Sequence, residues 1–373
     1  MKINLIIFLS EFNLGGAGNS LIKLCKNLSN KNFSTSIICL NKCFYKKELM
    51  KYGISVYEIK SSRTIFAMSK IKKIVKKILE IKKKNIFLSN IYYSNILSVL
   101  FLRSLNMKLI LVERTPFQEL SIYYGLVDYI KKNIIKLLIR FTYYKADNCI
   151  SNSKYISNVY SNRYNLKFKT IYPPSFKTLN ILNKRKSGKS HICIGTVCRL
   201  SKEKRIENLI QIVAKFKNNL ILKIVGDGPE LENLKNLAKS LNIRKNIIFL
   251  GKINPNKISK IFKNFDYFIN SSDFEGFPNT VVEAISSGVP VIASQSHGGI
   301  NEILKYKNFG VIYKNNMELE IILKKIIDKK IIFKKNKKLI KNHLKNFSEK
   351  NNVKKYKKLF FDILFKFFNY LIT

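Results

Sequence analysis

The sequence predicts an α/β protein built from two Rossmann-like domains, each with a parallel sheet covered by helices. Short apolar runs alternate throughout with longer segments of helical period, a pattern typical of successive βα units. The alternation stops near Tyr172-Pro173-Pro174, where a polar and basic stretch follows, and then it restarts. At 373 residues the chain is also long enough for about two domains.

The first domain is expected over residues 1–175. Its strand candidates are the apolar runs 3–9, 36–40, 55–59, 86–89, 108–112 and 148–151. Helices are expected at 19–28, 69–83, 94–105 and 127–144. In segment 69–83 the apolar residues recur every three or four positions with lysines between them, as in an amphipathic helix.

The second domain is expected over residues 191–345, after a linker at 176–190. Strands are predicted at 192–197, 221–225, 247–250, 267–269, 289–293 and 310–312, and helices at 205–216, 230–241, 255–263, 280–286 and 318–329. A last helix is expected from 348 to about 371, with an aromatic face of Phe360, Phe361, Phe365, Phe367 and Phe368. Two such domains would place a cleft between them, with ligand-binding loops at the carboxyl ends of the strands.

Basic residues dominate the charge balance. The chain has 69 Lys and Arg against 23 Asp and Glu, which leaves a formal charge of +46. Three interpretations are open: compositional drift toward lysine, attraction to an anionic membrane surface, and a nucleic-acid partner. Because lysines occur along the whole chain, drift is favoured, and the absence of a nucleic-acid motif places specific nucleic-acid binding last. A hydrophobic share of 46% is that of a folded protein.

Cysteine usage and the first residues favour a cytoplasmic protein. None of the six cysteines forms a Cys-x-x-Cys pair, so neither a disulfide framework nor a zinc site is expected. The apolar run 3–9 is followed by Glu11 without a convincing cleavage site, and we interpret it as a buried strand rather than a signal peptide. No uncharged apolar run reaches about 18 residues, so no transmembrane helix is expected.

Segment 275–283, Glu-Gly-Phe-Pro-Asn-Thr-Val-Val-Glu, has the layout of a ligand site. Glu275 is predicted in a loop, and Glu283 about one turn into the helix that follows. Gly276 and Phe277 would leave backbone amides free beside the helix N-terminus, where anionic groups are stabilised. Each carboxylate can accept paired hydroxyl hydrogen bonds, so a polyhydroxylated, phosphate-bearing ligand is predicted.

Further candidate loops follow other predicted strands. Gly15-Gly16-Ala17-Gly18 suits a phosphate-binding turn but lacks the third glycine of the dinucleotide fingerprint, which disfavours a dehydrogenase. Arg199 and Lys204 precede a helix and suit a diphosphate, with a solvated charge cluster as the alternative. The glycine-rich run 225–230 and His297 complete the set, although a simple turn and an uninvolved histidine are the alternatives there. Because these loops follow successive strands, those of one sheet should converge on one edge.

Together these motifs resemble the retaining glycosyltransferases of GT-B fold usually called family 4, or glycosyl transferases group 1. The resemblance depends on Gly15-Gly16, Arg199 with Lys204, Val225-Gly226-Asp227-Gly228-Pro229, Phe249-Leu250-Gly251, Glu275 through Asn279 to Glu283, and Gly298-Gly299 with Glu302. It implies an enzyme without a cofactor that moves a sugar from a UDP or GDP sugar to a glycan or lipid-linked acceptor. The implied pathway is cell-surface polysaccharide synthesis of the lipopolysaccharide, O-antigen or capsule type.

The resemblance also implies a role for each motif residue. Arg199 and Lys204 would neutralise the leaving diphosphate, and Glu275 would bind the transferred sugar, which makes these three the implied catalytic residues. Glu283 would bind the ribose hydroxyls. The remaining donor contacts would come from Gly15, Gly16, Gly251, Gly276, Phe277, Pro278 and Asn279. The final helix, 346–373, would cross back onto the first domain. Cationic side chains and helix dipoles would replace a catalytic metal.

One departure from the family concerns the acceptor side. Many members carry a histidine in the first domain near the reaction centre, whereas this chain has none before His191. Glu113 and Arg114 stand at the comparable place. Arg114 could contact donor or acceptor and Glu113 could orient the acceptor, with a buried structural pair as the alternative.

Two segments, 91–103 and 123–145, combine aromatic, apolar and lysine residues. Either a peripheral contact with an anionic membrane or a pair of core helices with solvated lysines fits them.

Two other functions stay open as alternatives. A nucleotide-sugar epimerase of GT-B fold would form product without an acceptor, and a basic nucleic-acid-binding protein would show affinity that falls steeply with salt.

Overall fold

The computed structural model of the chain describes residues 3–12, 15–28, 32–79, 84–179, 191–331, 333 and 336–365. The chain forms two units, Met1–Pro174 with Glu349–Thr373, and Ser175–Ser348. Most of the predicted linker, 180–190, lies outside the described residues, as do Phe367 and Phe368 of the predicted aromatic face.

Strands and helices alternate along both units. The strands are β1 (Ile3–Phe8), β2 (Phe33–Cys39), β3 (Ser55–Glu58), β4 (Lys84–Asn90), β5 (Lys108–Glu113), β6 (Asn148–Ser151), β7 (Phe168–Thr170), β8 (Ile192–Val197), β9 (Leu220–Val225), β10 (Ile247–Gly251), β11 (Tyr267–Asn270), β12 (Phe274–Glu275), β13 (Val291–Ser294), β14 (His297–Gly298) and β15 (Gly310–Tyr313). The helices are α1 (Gly16–Leu28), α2 (Lys46–Met50), α3 (Thr64–Ile78), α4 (Tyr92–Leu102), α5 (Leu126–Thr142), α6 (Lys154–Tyr164), α7 (Ile206–Lys215), α8 (Leu231–Ser240), α9 (Pro255–Phe262), α10 (Asn279–Ser286), α11 (Ile300–Ile303), α12 (Asn316–Ile327), α13 (Lys337–Leu344) and α14 (Glu349–Phe365).

A seven-stranded parallel sheet forms the centre of the first unit, in the order β3-β2-β1-β4-β5-β6-β7. Strand β1 pairs with both β2 and β4, so the winding of the chain reverses at this point. A reversal of this kind leaves a crevice at the carboxyl ends of the two strands, which is where open α/β sheets bind their ligands.

Both faces of this sheet are buried, which explains the continuous apolar run of β1. Leu5 and Ile7 belong to the core that includes α1 and α14, whereas Ile6 and Phe8 belong to the core beneath α3, α4 and α5. Neighbouring residues of a strand point to opposite faces, so a strand covered on both sides needs apolar residues at nearly every position.

The last described helix, α14, packs within the first unit. The rings of Phe360 and Phe361 lie 6.2 and 6.4 Å from that of Phe33 at the start of β2. The carboxylate of Glu349 lies 3.9 Å from Lys23 Nζ on α1. Tyr356 and Phe360 of this helix are therefore part of the core, whereas Phe361 is 40% exposed.

The second unit repeats the same winding. Its six-stranded sheet has the order β10-β9-β8-β11-β13-β15, with the reversal between β8 and β11, and the short strands β12 and β14 pair separately. Helices α7, α8 and α12 cover one face through leucines 209, 234 and 323, and α10 packs on α9 and α13. Two parallel α/β sheets confirm the class of fold that the sequence predicts.

The predicted strands and helices are all present, with bounds shifted by a few residues. Strand β13 begins at Val291 rather than at 289, because Pro290 before it has no N–H to donate. Helix α3 ends at Ile78, five residues before its predicted end, where Leu79 adopts an extended backbone with ψ of 125°.

Seven further strands and helices of the described chain were not predicted, namely β7, β12, β14, α2, α6, α11 and α13. Two of these helices have an N-cap that the sequence displays: Ser153 Oγ accepts from Ile156 N at 3.2 Å, and Asn336 Oδ1 accepts from Leu339 N at 2.9 Å. Serine and asparagine are preferred at this position because their side chains satisfy a free N–H of the first turn. The segment of α6 lacks a clear apolar period, so its cap was the available signal, whereas α13 also has Ile340 and Leu344 four positions apart.

Candidate functional site

Three loops at the carboxyl ends of β8, β9 and β10 are joined by backbone hydrogen bonds. Cys198 N donates to Val225 O and Leu200 N to Asp227 O, both at 3.0 Å. Gly226 N donates to Gly251 O at 2.9 Å. The convergence predicted for these loops is thereby confirmed, because the segments after three neighbouring strands form one hydrogen-bonded layer.

Gly226 allows this close approach. Its φ is 141°, and a Cβ at this position would lie 1.8 Å from the carbonyl oxygen of Cys198. Only glycine adopts this backbone conformation readily and also has no Cβ that would overlap with the oxygen. The absence of a side chain at Gly226 therefore allows the Arg199 loop to pack against the end of β9.

Lys204 and Glu275 form the charged centre of the second unit. Lys204 ends a 3-10 turn after β8, and its Nζ lies 2.6 Å from Glu275 Oε1 on β12. Ser272 Oγ donates to the same carboxylate oxygen at 3.2 Å, and Ser271 Oγ donates to the carbonyl of Lys204 at 2.6 Å. Because both serines directly follow β11, this cluster lies at the β8–β11 reversal, where α/β sheets bind ligands.

The pair is partly withdrawn from solvent, with 14% of the Lys204 side chain and 21% of the Glu275 side chain exposed. Burial alone would lower the pKa of Lys204, but the charge and hydrogen bond of Glu275 outweigh it and raise that pKa above its usual value. The ammonium therefore stays charged at neutral pH. A fixed cation of this kind can stabilise an oxygen that gains negative charge.

A short β-bridge holds Glu275 in place. Strand β12 pairs with β14, so that Glu275 lies opposite Gly298, and Gly299 N donates to Gly276 O at 3.1 Å. A Cβ at Gly298 would lie 1.5 Å from the carbonyl oxygen of Glu275, and the φ of this glycine is 140°. The Gly298-Gly299 motif thus supports the backbone of the glutamate.

The rest of the segment after Glu275 is largely buried. The ring of Phe277 packs 5.3 Å from that of Phe347, so the side chain belongs to the core and only its backbone is suited to a ligand. Helix α10 begins at Asn279, whose Oδ1 accepts from Ser175 Oγ at 2.8 Å. Glu283 lies one turn after that start, as predicted, and is partly buried.

Other predicted residues of the second unit lie at its surface. Arg199 is exposed, and Gly251, with φ of 64°, is partly buried. His297 is exposed on β14. Beside the central pair, Arg205 Nε lies 2.7 Å from the carboxylate of Asp273, which ties the end of the Lys204 turn to the segment before Glu275. Ser271, Ser272 and Asp273 were not predicted as site residues, although polar residues directly after a strand are a signal of such a site.

In the first unit, Arg114 lies at the corresponding reversal between β1 and β4. It is 9% exposed, and its guanidinium donates to Asn90 Oδ1 at 2.8 Å and to Ser20 Oγ at 3.1 Å. Ser20 lies on α1, the helix that Gly16 begins and whose first turn includes the bond from Asn19 N to Gly15 O at 3.0 Å. Arg114 thus connects the end of β4 to the glycine-containing helix start.

Glu113, the last residue of β5, and Arg114 are both buried, as in the predicted alternative of a structural pair, but their side chains bind different residues. The carboxylate of Glu113 is fully buried and accepts from Asn95 Nδ2 at 2.8 Å and from the hydroxyl of Tyr143. Arg114, the residue after β5, instead binds Asn90 and Ser20. With no exposed surface, Glu113 is placed to position α4 and the 3-10 turn after α5 rather than to touch an acceptor directly.

Burial raises the pKa of Glu113 to about 8, while the hydrogen bonds from Tyr143 and Asn95 act in the opposite direction. The ordinary pKa of a glutamate is 4.5. Between that pH and about 8, the carboxyl of Glu113 is therefore ionised in the unfolded chain but still protonated in the folded chain. The free energy of unfolding should therefore fall in that range as pH rises, by about 1.4 kcal/mol per unit. Urea titrations of the wild type and Glu113→Gln should diverge accordingly, the variant being relatively more stable at pH 8 than at pH 5.

The exposed Glu232→Gln on α8 is the matched control, for which the difference from wild type should be the same at both pH values. Parallel pH profiles of wild type and Glu113→Gln would show that Glu113 is ionised in the folded protein.

Comparison with known proteins agrees with this geometry. Residues 179–346 match the family model described as glycosyl transferases group 1. Alpha-monoglucosyldiacylglycerol synthase of Streptococcus pneumoniae is 28% identical over 245 residues, which cover 60% of this chain and 54% of that protein. The chain thus spans about half the length of this relative. The uncharacterized glycosyltransferase MJ1069 of Methanocaldococcus jannaschii is 29% identical over 402 residues, with 96% of this chain and 98% of that protein covered.

The fold is also similar to that of a solved structure, Anabaena Alr3699/HepE in complex with UDP-glucose. The TM-score is 0.77 at 17% identity, with 95% of this chain and 98% of that chain covered. The likeness at this identity concerns the fold, and it confirms the predicted GT-B class.

Proposed function

We propose that this chain is a member of the glycosyl transferases group 1 family and transfers a sugar from a nucleotide-diphosphate sugar to a glycan or lipid-linked acceptor. The observation that carries the proposal is the Lys204–Glu275 pair at the β8–β11 reversal, held by Ser272 and by the bridge to Gly298. It combines a half-buried cation with a carboxylate, which suits a ligand that has both a diphosphate and sugar hydroxyls.

In this proposal the charges of Lys204 and Arg199 stabilise the diphosphate as it leaves. The bond between the sugar carbon and the phosphate oxygen breaks, and a bond from that carbon to the acceptor oxygen forms on the same face. The acceptor proton passes to the departing phosphate oxygen, so the configuration is retained and no protein nucleophile is needed. Fixed charges in a partly desolvated site contribute to catalysis because they require no reorganisation as the reaction proceeds. The proposed reaction is independent of a metal ion.

Each glutamate has a separate part in donor binding. Glu283, one turn into α10, accepts hydrogen bonds from the ribose hydroxyls, and Glu275 accepts them from the transferred sugar.

We favour a UDP sugar, because the Anabaena protein of the same fold was solved with UDP-glucose. We favour a lipid-linked acceptor on the cytoplasmic side of the membrane, because the Streptococcus relative is by its name a glycolipid synthase. Synthesis of a cell-surface polysaccharide fits such an acceptor.

Nucleotide binding tests the donor assignment. UDP at 100 times its dissociation constant should stabilise the protein by about 2.7 kcal/mol, which a thermal-shift assay detects, and GDP at the same concentration should stabilise it less. Glu283→Gln should reduce the shift with both UDP and UDP-glucose. Glu275→Gln should leave the UDP shift nearly unchanged and remove the additional shift that the glucose provides.

Glu232→Gln, at an exposed position on α8, is the matched control and should respond as the wild type does. The donor assignment fails if neither nucleotide shifts the transition, or if both glutamate variants respond as the control does. Release of an isomerised sugar without any acceptor would instead identify an epimerase.

A further inference from the structure

Helix α5 carries a second apolar face that the core of the first unit does not use. Its buried residues are Ile135, Ile139 and Thr142. On the other side lies a stripe formed by Val127, Ile130, Ile134, Leu137, Phe141 and the following Tyr144, whose exposed fractions range from 49% to 82%. These residues are spaced three and four positions apart, so they form one continuous line along the helix.

The loop before α5 extends this stripe. Tyr124 is 77% exposed and Leu126 73% exposed. Tyr123 is held on the helix by Lys136, whose Nζ donates to the phenol oxygen at 2.7 Å, and by ring contact with Tyr129 at 4.9 Å. Almost half of the large apolar side chains exposed in the described part of the chain fall within residues 122–144.

Basic residues flank the stripe. At 100° per residue, Lys131 and Lys145 lie along one border and Arg140 lies along the other, and all three are exposed. The single acidic residue of α5, Asp128, is paired with Lys132 at 2.8 Å on the side of the helix that faces away from the stripe. The exposed face is therefore apolar along its centre and positive along its borders.

We propose that residues 122–145, the loop and α5, dock in the plane of an anionic lipid membrane. An apolar stripe bordered by lysine and arginine is the pattern of a helix that lies at the interface, with its apolar side chains among the acyl chains and its cations at the headgroups. Among the described helices, none has an apolar stretch long enough to cross a bilayer, so α5 would lie on the membrane.

Charge decides between lipid and a second copy of this chain as the occupant. The spacing of the stripe would also fit an interface between the α5 helices of two copies. In such an interface Lys131, Arg140 and Lys145 of each copy would lie against like charges of the other. An anionic lipid surface complements the same residues, and each basic side chain near such a surface strengthens binding. A chain with a formal charge of +46 is attracted to that surface from every orientation, and the stripe selects one.

This surface goes beyond the proposed transfer reaction, since it involves neither the Lys204–Glu275 pair nor a nucleotide. It would bring the enzyme to the surface in which a lipid-linked acceptor resides. The inference depends on the geometry of α5 alone, so it can fail while the donor assignment holds, or hold while the donor assignment fails.

The chain contains no tryptophan, which allows a single reporter to be placed on the stripe. Phe141→Trp should show a blue-shifted emission when vesicles of equal parts phosphatidylcholine and phosphatidylglycerol are added, and quenching by brominated lipid. Ile321→Trp, at a position 48% exposed on α12 of the other unit, is the matched control and should show neither effect. Emission of the Phe141→Trp protein that does not change with these vesicles would overturn the proposal.

The contribution of charge is tested by co-sedimentation with the same vesicles. The triple variant Lys131→Gln/Arg140→Gln/Lys145→Gln should bind roughly 100-fold more weakly than the wild type. Lys324→Gln/Lys325→Gln/Lys341→Gln, which removes the same charge from exposed positions of the second unit, should lose much less affinity. Equal losses in the two variants would show that net charge and not this surface binds lipid. A dimer in analytical ultracentrifugation that forms through α5, together with no vesicle binding, would assign the stripe to a second copy instead.

Discussion

Replacing Lys204 by methionine is expected to lower the rate of sugar transfer by about 10²–10³-fold, the usual effect of removing one group that stabilises developing charge. Methionine has a similar length and keeps the packing of a side chain that is 14% exposed, so the change removes mainly the ammonium. The loss should appear in kcat, because the charge matters most as the diphosphate departs. The measurement is initial-rate kinetics with the donor that the thermal-shift assay identifies.

Lys202→Met is the matched control, since Lys202 is exposed in the same 3-10 turn two residues earlier. It should keep a rate close to that of the wild type. The Lys204→Met variant should also retain the circular dichroism spectrum of the wild type, because Ser272 still donates to the carboxylate of Glu275 at 3.2 Å. A folded Lys204→Met protein with more than a tenth of the wild-type rate would contradict the role given to this lysine.

The second large effect is expected at Gly298, which has no side chain to contact a ligand and pairs with Glu275 between β14 and β12. Gly298→Ala would place a Cβ 1.5 Å from the carbonyl oxygen of Glu275, at a residue whose φ is 140°. Backbone strain and steric overlap together should cost roughly 3 kcal/mol or more in unfolding free energy. Since a displacement of about 1 Å can cost 10²-fold in rate, transfer should fall by about that factor as well.

Gly53→Ala provides the comparison, because Gly53 also has a positive φ, 69°, but a Cβ there would meet no atom within 4 Å. Its cost should be about 1–2 kcal/mol, from the left-handed backbone alone, with activity unchanged. Urea titration and initial rates of both variants separate the two causes. If Gly298→Ala resembles Gly53→Ala in both measurements, the bridge between β12 and β14 does not position Glu275.

Local patterns were enough to predict the elements that have a strong apolar period or a continuous apolar run. Apart from β7, the strands of both central sheets were found in this way, because strands buried on both faces must be apolar at nearly every position. Helices and strands that form mainly because of their contacts with neighbouring elements were missed. Strand β7, only three residues long at the edge of its sheet, and helix α6, with serines and tyrosines in place of a clear apolar stripe, are examples.

The same division applies to the site. The types and order of Arg199, Lys204, Glu275 and Glu283 could be read from the chain, because the first two lie in one short motif and the last two in another. The contact between Lys204 and Glu275 joins residues 71 positions apart, and no local pattern specifies such a distance. The burial of Glu113 against Tyr143, 30 positions later in the chain, likewise could not be predicted from a local pattern.

The sequence by itself thus determined two α/β units of GT-B class, a set of glycine-rich and charged loops, and the candidates for donor binding. Only the tertiary structure decided which of these loops touch one another, that Glu275 is paired with Lys204 and supported by Gly298, and that Glu113 is buried. It also separated the two apolar faces of α5 into one that is covered and one that is exposed. Periodicity records how many apolar residues a helix has and how they are spaced, but the neighbours of that helix determine which of them are buried.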